Sequence, residues 1–288
     1  MKLVYLIMAH KNPPQVARLV KAIHCEQATV FVHIDAKCAL SGFVEELHRL
    51  GKPRVQFIRS RVEVRYSGGF SQALAVLRAL PEVFTACGTF DYLILLSGQD
   101  YPIKDNQCIV DHFRKADERE FLCHAPMTGG NAWRLRRVVK YHFNDLIPRP
   151  EPLARLMCKV VNRILPTRKF PAGYTPYWGC TYWRMTHACA RYVMDFAEGN
   201  RSFVNFFRYS LCADECLIPT IIMHSPFARK VISDDLTYAD WPSGQFHPKT
   251  LGAEDFEKLT RTEKLFARKF DAVSDSKVLD LIDGHLRR

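Results

Sequence analysis

Asp91-Tyr-Leu-Ile-Leu-Leu-Ser-Gly-Gln-Asp-Tyr-Pro-Ile-Lys104 runs apolar and then turns abruptly polar. Leu93 to Leu96 is too short for a buried helix, and Gly98 and Pro102 stop it quickly. It reads as an interior strand of a sheet covered on both faces. Ser97, Gly98, Gln99 and Asp100 then stand at the carboxyl end of that strand, the edge at which open α/β sheets bind ligands. A plain turn, in which Asp100 satisfies backbone amides, is the other reading of the same residues.

The strand has neighbours of the same kind. Leu3–Ala9, Thr29–Ile34 and Val55–Ile58 read as strands, separated by helical spacing over Pro13–Ile23, Gly42–Leu50 and Ser71–Leu80. This alternation predicts an α/β fold with a mostly parallel sheet and crossover helices. The middle is less regular: a possible strand at Glu120–Cys123, a basic and aromatic stretch over Trp133–Phe143, and helix-like spacing over Leu153–Leu165. Tyr177–Trp183 reads as a strand leading into a helix through Phe196. Asp214–Ile222 reads as a helix offset by Pro219, and Glu254–Leu259 and Lys264–Phe270 as two short helices. No repeat or clear linker divides the chain, so one domain over 1–288 is expected.

At 288 residues, 48% hydrophobic, the chain has the composition of a globular protein with a sizeable core. Its 41 Lys and Arg against 30 Asp and Glu give a net charge of +11, which suits an anionic partner: a phosphorylated substrate, an acidic membrane surface or nucleic acid. The ten cysteines are scattered without a CxxC pair, as expected for a reduced intracellular protein. The apolar run at the amino terminus ends at His10, too short to cross a membrane and without a signal-peptide cleavage region.

Neither GxGxxG nor GxxxxGK[ST] is present, which argues against dinucleotide and P-loop chemistry. Ser67-Gly68-Gly69 ahead of a helix reads either as a tight turn or as an anion cradle of backbone amides. Asp214 and Glu215 open an apolar segment; they read as caps on a helix dipole or as a general base whose carboxylate sits beside an apolar wall. Arg268 and Lys269 lie between phenylalanines in Lys264–Phe270. They form a solvated basic face or a cluster suited to a leaving diphosphate, to which Lys249 could add.

Several separated stretches resemble one family. Val32-His-Ile-Asp-Ala-Lys37, Tyr66-Ser-Gly-Gly-Phe-Ser71, Leu95-Leu-Ser-Gly-Gln-Asp-Tyr-Pro-Ile103, Ala213-Asp-Glu215, Leu236-Thr-Tyr-Ala-Asp-Trp241, His247-Pro-Lys249 and Leu265-Phe-Ala-Arg-Lys-Phe-Asp271 occur in the order found in the Core-2/I-branching β-1,6-N-acetylglucosaminyltransferases and the related peptide O-xylosyltransferases. The resemblance implies a GT-A-type glycosyltransferase fold and an inverting transferase using a UDP-sugar, UDP-N-acetylglucosamine or UDP-xylose. It also implies that no metal is held at the diphosphate, and Ser97-Gly-Gln-Asp100 carries one carboxylate where an Asp-x-Asp would carry two. By the same resemblance Glu215 is the base, and His33 and Asp35 bind uracil and ribose. Ser97 and Asp100 shape the donor pocket, and Lys249 and Lys269, with Arg268 between them in the basic cluster, neutralise the diphosphate. Trp241, Arg134 and Arg137 fall on the acceptor side.

The animal members begin with a membrane anchor and form disulfides, and this chain starts directly at its first strand. The expectation is therefore a cytoplasmic bacterial enzyme extending a surface polysaccharide or lipid-linked glycan, resting against the anionic inner face of the membrane. Two other readings stand beside it. A metal-dependent transferase would need an Asp-x-Asp, and Asp234-Asp235 does not end a comparable early strand. A nucleic-acid-binding module could use Trp133-Arg-Leu-Arg-Arg137, but no recognised motif accompanies it, so nucleic acid is not an expected partner.

Overall fold

The computed structural model describes residues 1–51, 55–143, 145, 152–243 and 247–287. Leu3–Ala9 (β1), Ala28–Ile34 (β2), Val55–Phe57 (β3) and Tyr92–Ser97 (β4) lie in parallel in the order β3-β2-β1-β4. Pro13–Ile23 (α1), Ser41–His48 (α2) and Phe70–Cys87 (α3) make the crossovers. Alternate residues of β1 explain why the strand is apolar throughout: Leu3, Tyr5 and Ile7 enter one core, while Val4 and Leu6 enter the other. In register, Ala9 pairs with Ile34 and Met8 with Ser97, so the carboxyl ends of three strands finish together.

The chain continues through Asp100–Pro102 (β5), Asn106–Lys115 (α4), Glu120–Phe121 (β6), His124–Pro126 (β7), Arg136–Val139 (α5) and Pro152–Ile164 (α6). Tyr177–Gly179 (β8), Arg184–Thr186 (β9), His187–Gly199 (α7), Arg201–Phe206 (α8), Leu217–Met223 (α9) and Val231–Ile232 (β10) follow. Thr237–Ala239 (β11), Phe256–Arg261 (α10), Phe266–Arg268 (β12) and Lys277–Leu286 (α11) close the chain. The large sheet runs β10-β6-β9-β4-β1-β2-β3, with only β9 against the rest, and a small sheet β11-β12-β5 caps its carboxyl edge. The result is a mixed α/β fold with a mostly parallel central sheet flanked by helices.

The main departure from the sequence reading lies at Lys264–Phe270, which is no helix and holds the strand Phe266–Arg268. Phe266 and Phe270 are fully buried, but β12 pairs on both sides, with β11 and with β5, and the backbone bonds decide the conformation. Tyr177–Trp183 is likewise two elements, β8 and the approach to β9. Helix α3 continues past Leu80 through Pro81 because Val83 and Phe84 extend its buried face. The expected Leu153–Leu165 helix corresponds to α6, and residues 146–151 before it lie outside the described residues. Helices α4, capped by Asp105 on the Cys108 amide, and α11 had not been read from the pattern.

Glu120 in β6 is fully buried and receives the Thr186 amide at 2.8 Å and the Thr186 hydroxyl at 2.6 Å. Burial pushes its carboxyl up to about 7 against the lowering effect of those bonds. A folded-state pKa above the unfolded one means that the native state binds more protons. Its stabilisation is complete below the ordinary carboxylate range and is lost as pH rises through about 7. Glu120→Gln, which keeps the neutral shape, should therefore gain stability relative to wild type at pH 8 by on the order of 1–3 kcal/mol and little at pH 4. Urea unfolding at both pH values checks this; an equal difference at both would place the proton elsewhere.

Candidate active site

A cavity of about 210 Å³ opens where β1, β2 and β4 end. Its position follows from chain geometry: parallel strands present free ends on one edge, and the loops leaving them line what lies beyond. His33, Asp35 and Lys37 reach it from the end of β2, and Ser97, Gly98 and Gln99 from the end of β4. Gly98 has a packing reason, since a Cβ there would stand 3.0 Å from Val16 Cγ2 and 3.2 Å from Ala9 Cβ, pushing α1 off the strand ends. His33 is 1% exposed and its Nε2 accepts the Val62 amide at 3.0 Å. That bond and the burial that lowers its pKa both hold the ring neutral.

Asp100 distinguishes the two readings of the strand end. It is 1% exposed, and its carboxylate accepts both the Ser97 amide and the Ser97 hydroxyl at 2.8 Å. Across the β5–β12 pair, Arg268 Nε approaches the same carboxylate at 3.2 Å as an ion contact. Arg268 also stacks on the Tyr182 ring at 4.1 Å, donates to the Tyr182 hydroxyl at 3.2 Å and faces the cavity. Asp100 is thus no direct lining group: the turn reading is right for its bonds, and its effect on the pocket passes through Ser97 and Arg268.

The cavity wall is rich in cations. Lys11, Lys37, Arg65 and Arg268 line it, with Asp35 the carboxylate facing them. Lys11 leans on Asp271 at 2.6 Å, and Lys37 stands 3.5 Å from Asp35. Lys269 is half-buried and does not itself line the cavity; burial first, then the charges of Arg268 and Lys11 beside it, lower its pKa. Lys249 is different. Its ammonium is held by both oxygens of buried Asp255, at 2.9 and 2.8 Å, and by Glu254 at 2.9 Å, so it is committed to an ion pair and does not line the cavity. The resemblance expects Lys249 at the diphosphate, whereas its ammonium is engaged by Asp255 and Glu254 away from the cavity.

Both glycine amides of Ser67-Gly68-Gly69 are also occupied. Gly68 N–H goes to Gln72 Oε1, Gly69 N–H to the Tyr66 carbonyl and, beyond them, Ser71 N–H to Asp145, so neither glycine amide is free to hold an anion. Instead Gly68, at φ +82°, brings the loop against the next carboxylates: a Cβ there would lie 3.5 Å from Asp214 Oδ1.

Asp214 and Glu215 do not cap a long helix; they sit in a short 3-10 turn, Ala213–Glu215, ahead of α9. Asp214 is buried with the Thr181 hydroxyl on Oδ2 at 2.6 Å and no partner for Oδ1 among the described residues. Burial, then the charge of Glu215, raises its pKa well above the carboxylate range. Glu215 is more open. Its Oε2 accepts Arg137 Nη1 and Trp178 Nε1, both at 2.9 Å, and its Oε1 receives no nitrogen or oxygen donor among the described residues. One oxygen is anchored and the other is available to take a proton.

Arg134, expected on the acceptor side, lies 3.6 Å over the Trp178 ring and 4.5 Å over Trp133. Arg137 joins this group to a second cavity of about 680 Å³, lined by Trp133, Arg136, Lys140, Lys159 and Arg163. Trp241 is 57% exposed and has no recorded aromatic or cation partner among the described residues. Lys11, Arg65, Trp178, Thr181 and Tyr182 were not read from the sequence. Lys11 could have been, since it directly follows β1; Trp178, Thr181 and Tyr182 fall in an apolar stretch that reads as core.

The comparisons with known proteins now bear on this geometry. The Core-2/I-Branching enzyme family model matches residues 3–262, and the chain belongs to that family, the glycosyltransferase family its motifs resemble. It is 24% identical over 311 residues to Xylosyltransferase 2 of Rattus norvegicus, covering 99% of this chain and 34% of that protein. With Xylosyltransferase 1 of Mus musculus it shares 22% identity over 316 residues, 99% of this chain and 30% of the other. The chain thus spans about a third of the length of these relatives. Among solved structures, 4-diphosphocytidyl-2C-methyl-D-erythritolsynthase from Anaerococcus prevotii DSM 20548 overlays 70% of this chain and 75% of its own at TM-score 0.37 and 7% identity, too distant for residues to be matched.

Proposed function

We propose that this protein transfers a sugar from a UDP-sugar to a hydroxyl of a glycan acceptor with inversion, in one displacement and without a metal at the diphosphate. The observation that carries the reading is Glu215, anchored through Oε2 and open at Oε1, on a turn packed against the rim of a cation-lined pocket at the strand ends. Glu215 takes the acceptor hydroxyl's proton as that oxygen bonds to the anomeric carbon. The bond from that carbon to the β-phosphate oxygen breaks, and UDP leaves with the electron pair. One displacement needs one base, so Asp214 has no proton-transfer role and braces the turn.

His33 and Asp35 serve the nucleoside end of the donor. Ser97 with Arg268, Lys269 and Lys11 serves the diphosphate, whose developing charge preorganised cations can meet without a metal. Arg134, Arg137 and Trp241 serve the acceptor. The family relationship supports N-acetylglucosamine or xylose as the sugar. Extension of a bacterial surface polysaccharide or lipid-linked glycan is the role proposed for it.

We also place the enzyme in the cytoplasm, at the inner face of an anionic membrane. No described helix is long and apolar enough to cross a membrane, but α6 carries Leu156, Val160 and Ile164, four apart and 56%, 47% and 75% exposed, beside Lys159 and Arg163. An apolar stripe flanked by cations suits a helix lying in the headgroup layer.

Four measurements test these readings. UDP release from a panel of UDP-sugars, with EDTA present and then with Mg²⁺ or Mn²⁺ restored, should proceed in EDTA for one preferred donor; release only with added Mg²⁺ or Mn²⁺ would overturn the metal-free step. Glu215→Gln should lower turnover by roughly a hundredfold or more with UDP affinity unchanged. Arg268→Ala should instead weaken UDP binding by about 10–100-fold, and calorimetry separates the two. For the membrane contact, co-sedimentation with phosphatidylglycerol vesicles should be lost in Ile164→Glu and at high salt, and absence of binding in the wild type would end that reading.

A further inference from the structure

Three side chains outside both cavities converge on one point. The Sγ atoms of Cys123 and Cys180 and a carboxylate oxygen of Asp235 all lie within 4.8 Å of one another. Topology brings them there from three parts of the chain. β7 and β8 run antiparallel with His124 opposite Gly179, so the residue before one and the residue after the other, Cys123 and Cys180, face each other. Asp235 arrives just ahead of β11 in the small sheet. None of the three lines the donor-side pocket or the basic cavity.

We propose that Cys123, Cys180 and Asp235 bind a divalent, thiophilic cation, for which zinc is the best match. Two sulfurs and one carboxylate are a donor set that tetrahedral zinc accepts, with the fourth position left for a solvent oxygen. Hard cations such as Mg²⁺ prefer oxygen ligands throughout, so the sulfurs discriminate against them.

The surroundings balance the charge. Arg184 is fully buried, its Nε and Nη1 have no partner among the described residues, and Asp235 is the first of the charges acting on it. Two thiolates and a carboxylate carry three negative charges; a divalent ion and the Arg184 guanidinium together neutralise them.

The ion has a structural consequence. Cys180 stands between Trp178, which holds Glu215, and Thr181, which holds Asp214; Tyr182 next along carries Arg268. A metal bond at Cys180 anchors the segment from which three site residues hang. Because the unfolded chain does not assemble the three ligands, the ion's binding adds to folding stability.

The test uses the whole protein and reads metal, not transfer. Protein stripped with chelator, exposed to zinc and desalted should retain one equivalent by elemental mass spectrometry. Cobalt in its place should show tetrahedral ligand-field bands and a thiolate-to-cobalt charge-transfer band. Cys180→Ser and Asp235→Asn should each lose stoichiometric retention, while Cys108→Ser, which removes an exposed thiol elsewhere, should keep it. Asp235→Asn preserves an oxygen for the Thr237 amide, so it guards against a cysteine variant that fails to fold. Zinc should also raise the melting temperature of wild type and not of Asp235→Asn. Failure of wild type to retain zinc, equal retention by Asp235→Asn, or recovery of Cys123 and Cys180 as a disulfide from freshly purified protein would overturn the proposal.

Discussion

The arrangement of this molecule turns on the Asp100 carboxylate. It ends β4 by binding the Ser97 amide and hydroxyl, and through Arg268 it ties the strand end of the large sheet to β12 of the small one. A carboxylate that is 1% exposed is tolerable only when its oxygens are filled, and here the partners that fill them also aim a cation at the pocket. The small sheet, the position of Arg268 and the shape of the strand-end turn follow from one satisfied buried charge.

Charge is sorted around the site in a way that a sum over the sequence does not show. Lys11, Lys37, Arg65 and Arg268 face one cavity, while Asp214 lies against the Gly68 turn, next to the lining residue Ser67, with Glu215 beside it in sequence. Two adjacent carboxylates cannot both be charged cheaply in a partly dry place, and burial resolves the conflict by raising Asp214. Glu215 is held by Arg137 and Trp178 on one oxygen only, and the proposed base role falls to the other. The short segment from Trp178 to Tyr182 serves Glu215, Asp214 and Arg268 at once, which is why a mixed apolar and polar stretch occurs in what looks like core.

Lys249 shows how a residue in the right sequence position can be engaged elsewhere. Its ammonium is satisfied by Asp255, a buried acid six residues on, and that acid in turn receives the Gly252 amide. The bonds belong to a loop's own stability. Lys269, adjacent to it through backbone hydrogen bonds, has no such acid partner among the described residues and lies near Arg268 and Lys11, two cations that do line the pocket.

Much of the α/β frame was legible in the sequence because its cause is local. β1, β2 and β4 are apolar runs of the length of a strand, and α1 begins at a proline pair, so hydrophobic spacing alone determined them. The same run in Asp91–Lys104 determined where a ligand edge would lie, and the ordered motifs determined the family. What only the tertiary structure decided were features set by partners distant in sequence. Phe266–Arg268 became a strand because two other strands pair with it, and Lys249 was withdrawn from the pocket by Asp255. Glu215 was given its one open oxygen by Arg137 and Trp178, and two unremarked cysteines were brought opposite each other by a pair of three-residue strands. Hydrophobic periodicity is a property of neighbours along the chain, whereas hydrogen bonds and ion pairs between side chains exist only once the chain has brought their partners within reach.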